Sequence, residues 1–152
     1  MIEVESYLRT GDDEFTRIEE AREVPPDPRY VEGALTLSIG GRAVLDTVMW
    51  DYIDQLWAYV SDMVGSLSEK DEVSTYFPDQ PIRLTFRRQA NGRVLVSAEL
   101  TRGPRVANAD ERELVTELQA KGEVFFARMS EFFPENRRAY EDALTRLRSY
   151  RR

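Results

Sequence analysis

Carboxylates are the main side chains with which this 152-residue sequence could do acid–base or metal chemistry, because it contains no histidine and no cysteine. Two local groups stand out, the pair Asp51 and Asp54 and the run Asp12-Asp13-Glu14. Such groups hold Mg²⁺ or act as acid and base when they converge in a cleft. The spacing of Asp51 and Asp54 instead makes them diverge on a helix surface. We therefore predict no catalytic residue, no metal site and no cofactor, and a protein that is not an enzyme.

Other catalytic signatures are also missing from the sequence. The segment Ser38-Ile39-Gly40-Gly41-Arg42 lacks the lysine and the glycine spacing of a phosphate-binding loop. No serine elbow and no nucleophile with an adjacent base is present. A carboxylate-dependent metal enzyme stays as a third hypothesis, and it requires three acids within metal-binding distance of one another.

Two tryptophans lie beside acids in the segment Trp50 to Trp57. On a helical wheel both indoles fall at one edge of the apolar stripe, with Asp54 just beyond them. Indoles and carboxylates together are typical of recognition surfaces. The alternative is that both indoles cover the edge of a sheet while Asp54 accepts a hydrogen bond from an indole or an arginine.

The second candidate is the loop Phe77-Pro78-Asp79-Gln80-Pro81. Its two prolines keep the chain stiff and extended, so Asp79 and Gln80 could be presented to a partner at little cost in ordering entropy. The alternative is that Asp79 and Gln80 cap local amides while Phe77 fills the core. We predict that both candidates together form a partner-binding surface of seven residues: Trp50, Asp51, Asp54, Trp57, Phe77, Asp79 and Gln80.

The net charge of −7 excludes a general nucleic-acid binder, which needs clustered cations against phosphates. Residues 1–33 carry ten acids and four arginines, which favours a more basic protein partner, although the basic C-terminal third could also neutralise them within the fold. No apolar run is long enough for a membrane span, so no membrane partner is expected. The N-terminus lacks the features of a secretory signal, and this predicts a cytoplasmic protein.

Periodicity predicts three stretches of strand. Ile2 to Arg9 alternates as a half-exposed strand, and Leu35 to Leu45 forms a hairpin around Gly40-Gly41. A second hairpin, Ile82 to Leu100, needs the three-residue loop Ala90-Asn91-Gly92, because only this register sets Phe86 opposite Val96.

Three helices are predicted from capping and stripe patterns. They run from Asp46 or Thr47 to Leu67, from Asp110 to Phe133 and from Glu135 to Tyr150. The fold class is therefore α+β, with an antiparallel sheet of about five strands, two hairpins plus the N-terminal strand, packed against three helices. Residues 1–152 form a single domain in this prediction, with a loop-rich acidic segment at 11–33.

Three motifs resemble small uncharacterised bacterial proteins, some of which are similar to immunity proteins of polymorphic toxin systems. The motifs are Leu35 to Gly41, Trp50 to Trp57 and Tyr76 to Pro81, and the resemblance covers roughly residues 34–100. It implies an immunity or inhibitor protein that blocks a more basic partner such as a toxin, but it assigns no site residue. The alternative from another class is a small-molecule binding or sensing domain, with an aromatic pocket lined by Trp50, Trp57, Phe86 and Phe125.

Overall fold

Nine strands and three helices follow one another in a computed structural model that describes residues 1–152. Their bounds are β1 Ile2–Gly11, β2 Glu14–Arg17, β3 Glu32–Ile39, β4 Arg42–Leu45, β5 Asp51–Tyr52, α1 Ile53–Ser66, β6 Glu72–Tyr76, β7 Arg83–Arg88, β8 Arg93–Leu100, β9 Gly103–Asp110, α2 Glu111–Phe132 and α3 Arg137–Arg148. The strands form two antiparallel sheets rather than one, and the predicted α+β class with three helices is confirmed. No helix is both long enough and apolar enough to cross a bilayer.

The first sheet has the strand order β2-β1-β3-β4, and the short β5 pairs with the start of β3. Alternate residues of β1 are buried from Ile2 to Leu8, as the period of two predicts. The hairpin β3–β4 turns at Gly40 and Gly41, which both have positive φ. Within the segment 11–33, β2 pairs with β1, and the buried Ile18 and Ala21 fix the following turn to the core.

The second sheet has the order β6-β7-β8-β9. The predicted register is confirmed where Phe86 pairs with Val96 and Leu84 with Ala98, and Gly92 has φ +72° in the connecting loop. Its two outer strands, β6 and β9, lie in segments for which no strand was predicted. Their patterns are weak because β6 buries only Val73 and β9 buries only Ala109.

Helix α1 begins at Ile53, so the predicted start at Asp46 or Thr47 is wrong. Asp46 caps a 3-10 turn over 47–49 instead, its carboxylate accepting the N–H of Val48 at 3.0 Å. The chain then extends, and Asp51 pairs with Gly33 across the sheet. A capping side chain serves a 3-10 turn as well as an α-helix, and the long-range pairing of β5 determines where the helix can start.

The other two helices start and end close to the predicted residues. Asp110 caps α2 by accepting the N–H of Glu113 at 2.9 Å. Helix α3 follows a 3-10 turn that begins at Pro134. Helices α1 and α2 pack on the sheets, and α3 packs on both helices. The core between these layers is centred on the rings of Trp57, Phe125 and Phe126.

Candidate functional site

The two motifs that the sequence singled out are joined in the fold by the buried carboxylate of Asp51, whose residue is 2% exposed. Its oxygens accept the backbone N–H groups of Tyr52 at 2.7 Å, Asp79 at 3.1 and 3.2 Å and Gln80 at 2.9 Å. Charge-assisted bonds of this kind compensate for burying a carboxylate. Asp51 therefore fixes the loop 78–81 against β5.

The same loop is held at two further points. The side-chain amide of Gln80 donates to the carbonyl of Trp50, and the backbone of Phe77 donates to the carbonyl of Ile82 at 2.9 Å. Phe77 and Ile82 are both buried, so the base of the loop is part of the core. Pro78 and Pro81 restrict the remaining backbone. The loop is thus rigid, with its shape set by contacts to residues far away in the sequence.

Exposed and half-buried side chains surround Asp51 and the loop 78–81. Val48 is 74% exposed and Tyr30 is 54% exposed, while Trp50 and Tyr52 are half-buried. The Tyr30 and Tyr52 rings lie 5.2 Å apart. Val48, Trp50, Tyr52 and Asp79 share a shallow pocket of about 230 Å³. We name the set Tyr30, Val48, Trp50, Tyr52 and Asp79 the Trp50–Asp79 surface.

Arg9 orders one side of the Trp50–Asp79 surface. Its guanidinium lies 4.2 Å from the centroid of the Trp50 ring and donates to Glu32 at 2.9 Å and to Asp12 at 3.0 Å. Cation–π and ion-pair contacts together fix the orientation of the indole. The positive charge of Arg9 is thereby shared between two acids.

Asp79 is the acid of this surface, and no cation of the chain pairs with its carboxylate. Its carboxylate is exposed and takes part in no hydrogen bond or ion pair within the chain. Partial desolvation raises the pKa of the Tyr52 hydroxyl, and the negative charges of Asp79 and Glu32 raise it further. The Trp50–Asp79 surface therefore combines apolar rings with a negative local field.

The predicted residues Asp54 and Trp57 lie elsewhere. Asp54 accepts the hydroxyl of Tyr140 at 2.9 Å, and burial raises the pKa of its carboxyl. Trp57 is fully buried and donates its indole N–H to Ser6 at 2.9 Å, so it serves the core. Neither an indole nor an arginine binds Asp54, contrary to the alternative considered above. The helical-wheel flank shared by Trp50 and Trp57 does not exist, because Trp50 precedes α1.

The seven predicted residues therefore divide into three groups. Trp50, Asp79 and Gln80 lie where β5 meets the loop 78–81 and are at least partly exposed. The buried Asp51 holds this loop in place. Phe77 and Trp57 pack in the core, and Asp54 links α1 to α3. The contact surface stays a prediction for the exposed members.

Sequence reasoning missed the contribution of Tyr30, Tyr52 and Val48 to this surface. Tyr30 lies in the segment 11–33 that was predicted as loop-rich. Tyr52 fell within the predicted first helix, whereas α1 begins one residue after it. It also missed a buried ion pair, in which Arg88 donates to both carboxylate oxygens of Glu111 at 2.9 and 3.1 Å. Hydrogen bonding partners 23 residues apart leave no local pattern that could reveal them.

No three acids lie close enough together to hold a metal ion. Asp51 and Asp54 diverge, one toward the loop 78–81 and the other toward Tyr140. The rings of Trp57, Phe86 and Phe125, predicted to line a ligand pocket, are 0–1% exposed within the core, whereas Trp50 lies beneath Arg9. Comparison with protein-family models gave no match, and neither the curated proteins nor the solved structures gave one.

Proposed function

We propose that this chain is a non-catalytic binding protein of the immunity or inhibitor type, which docks its Trp50–Asp79 surface onto a more basic protein such as a toxin. The single observation that carries the proposal is that the Asp51 carboxylate holds the loop 78–81 through its backbone N–H groups, a contact that we call the Asp51 clamp. It leaves the carboxylate of Asp79 without an ion-pair partner, beside the rings of Trp50 and Tyr52. The proposal extends the resemblance seen in the sequence to a defined set of residues.

Rigidity supports this function. A loop that is already fixed by Asp51 and Gln80 loses little conformational entropy when a partner binds. Aromatic side chains with few rotatable bonds have the same advantage, and tryptophan and tyrosine are enriched among residues that dominate binding energy. Trp50 is therefore the expected apolar anchor.

Charge supports a basic partner. The net charge of −7 and the free carboxylate of Asp79 attract a cationic protein over distances of about a Debye length. Such attraction raises the association rate and disfavours wrong partners more than it adds affinity. Lysine or arginine of the partner would pair with Asp79 while its apolar groups contact Trp50.

The proposal is tested with the product of a toxin-like reading frame adjacent to the gene. We expect that product to co-purify with the wild-type chain and with Glu113→Arg, a variant that makes the same charge change outside the surface. Binding should be lost in the double variant Trp50→Ala/Asp79→Arg. Co-purification of that double variant at the wild-type level would contradict the proposal.

Kinetics give a second measurement on the same pair of proteins. The association rate should fall about tenfold or more between roughly 10 and 150 mM salt, because the attraction is screened. The rate for Asp79→Arg should start lower and depend less on salt. An association rate independent of salt would remove the electrostatic part of the proposal.

A further inference from the structure

The outer edge of β6 carries backbone groups that pair with no other strand. Pairing with β7 occurs at Val73 and Thr75, so the N–H and C=O groups of Glu72, Ser74 and Tyr76 point outward in the alternation of an antiparallel ladder. Only the carbonyl of Tyr76 has a partner within the chain, the hydroxyl of Thr75 at 3.1 Å. The strand contains no proline and no bulge.

At the opposite edge of the same sheet, the outward backbone groups of β9 are mostly occupied or absent. In β9 the outward positions are Pro104, which has no N–H, and Val106 and Asn108. The carbonyl of Val106 accepts from Arg42 at 3.0 Å, and the carbonyl of Asn108 accepts from Arg93 at 3.3 Å. Proteins commonly block edges in this way, because an open edge recruits another strand.

The first sheet ends in a four-residue strand on each side, and β2 pairs only with Tyr7 to Gly11 of β1. Its outer strand β2 has only four residues, begins and ends with the charged Glu14 and Arg17, and pairs with a β1 that is irregular between Arg9 and Gly11. On the other side, β4 is also four residues long, and Arg42 at its start reaches across to β9. The outward backbone groups of β6, by contrast, contact no other strand, and the strand contains no proline and no bulge.

We propose that β6 pairs with β6 of a second copy of this chain in an antiparallel, two-fold arrangement centred on Ser74. The three outward residues are spaced so that Ser74 meets Ser74 and Glu72 meets Tyr76, which gives about six backbone hydrogen bonds. The two four-stranded sheets then become one continuous sheet. The register is self-complementary in hydrogen bonding.

The side chains that lie opposite each other in this register are compatible. No like charges lie opposite each other, since Glu72 faces Tyr76 and its charge is balanced by Arg87 at 2.7 Å. On the side of the sheet that faces α1, Val73 of one copy lies opposite Thr75 of the other. A groove of about 410 Å³ between α1 and β6 leaves room there, and the exposed Tyr59 lines it.

The oligomeric state tests the proposal directly. Sedimentation velocity from roughly 1 µM to 1 mM should show a dimer whose fraction rises with concentration. Ser74→Pro should be monomeric over that range, because it removes the central outward N–H, whereas Ser74→Ala should dimerise as the wild type does. Asp79→Arg should also dimerise, which separates this edge from the Trp50–Asp79 surface.

Two charge variants at position 74 test the proposal without depending on how well Ser74→Pro folds. Ser74→Lys and Ser74→Glu place like charges opposite each other across the two-fold axis, so each alone should be monomeric. An equimolar mixture should restore the dimer as a Lys–Glu heterodimer. A wild-type monomer at about 1 mM, or dimers of Ser74→Lys alone at the wild-type affinity, would overturn the proposal.

Discussion

Asp51 is a buried acid whose function in the fold is carried by backbone N–H groups. Three residues donate to it, two of which lie in the loop 78–81 and one of which is its own neighbour. A carboxylate in this position is a structural anchor, since its oxygens are occupied and it is 2% exposed. The residues that it positions, rather than Asp51 itself, are available to a partner.

Replacing this anchor should cost much more stability than replacing the acid beside it. Asp51→Ala leaves the N–H groups of Asp79 and Gln80 without acceptors, and we expect a loss of about 2–3 kcal/mol in the free energy of unfolding. Asp79→Ala should change it by less than about 0.5 kcal/mol, because that carboxylate is exposed and unbonded. Denaturant titration measures both values, and equal losses would contradict the clamp.

At the scale of elements, glycines lie where α1 and α2 pack against α3. A β-carbon on Gly65 would lie 2.9 Å from the backbone carbonyl oxygen of Arg146, and one on Gly122 would lie 2.4 Å from the Leu147 side chain. Gly122 faces the side chains of Leu147 and Trp57. At Gly65 the neighbouring carbonyl belongs to the backbone of α3, and no pattern in the sequence predicts this contact.

Gly65→Ala should therefore destabilise the protein, although alanine is the better helix former by about 1 kcal/mol. The carbonyl of Arg146 cannot move without moving α3, and we expect a net loss of about 1–3 kcal/mol. Thermal unfolding of this variant against Ser66→Ala, a neighbouring change that adds no atom, measures the effect. A higher melting temperature for Gly65→Ala would contradict such close packing.

The elements also show what a sequence can reveal. The register of β7 and β8 was predictable because a slip of one residue would expose Phe86 and Val96, so burial alone selects it. The start of α1 was not, because Asp46 caps a 3-10 turn equally well. Strands β6 and β9 lie at the edges of a sheet, where one face and one side are solvated and alternation is weak.

The candidate site was predictable only in its parts. Trp50, Asp79 and Gln80 were recognised by residue type and by the stiffness of their surroundings. Their meeting at Asp51 depends on amides 28 and 29 residues away, and every residue except proline carries such an amide. Side-chain identity therefore could not reveal the contact.

At the scale of the whole molecule, Arg88 and Glu111 join parts that are distant in the chain. Arg88 in β7 donates to the carbonyl of Leu67 after α1 at 2.6 Å and to Glu111 at the start of α2. The hydroxyl of Tyr150 near the C-terminus also donates to Glu111, and burial and this contact raise the pKa of Tyr150 to about 12. The network links the second sheet to all three helical segments.

This network should make stability depend on acid. Burial raises the pKa of the Glu111 carboxyl, but the hydrogen bonds from Arg88 and Tyr150 outweigh burial, so the pKa is lowered overall. The stabilisation is complete above the unfolded pKa, near 4.5, and disappears as the pH falls through the lower folded pKa.

Glu111→Gln should consequently be less stable than the wild type at pH 7, and the difference should shrink toward pH 3. Arg88→Met leaves Glu111 buried without its cation, and we expect a loss of about 3–5 kcal/mol at neutral pH. Chemical denaturation at several pH values measures both variants. A stability difference for Glu111→Gln that is constant with pH would contradict the lowered pKa of Glu111 in the folded protein.

The clamp at Asp51 has an evolutionary consequence. It holds the loop through the backbone of residue 79, so the identity of that side chain is not needed to keep the loop in shape. Under the proposed function, a substitution at position 79 changes the charge offered to a partner and leaves the scaffold intact. The specificity of the proposed binding surface is then open to change by single substitutions, each of which leaves a folded protein.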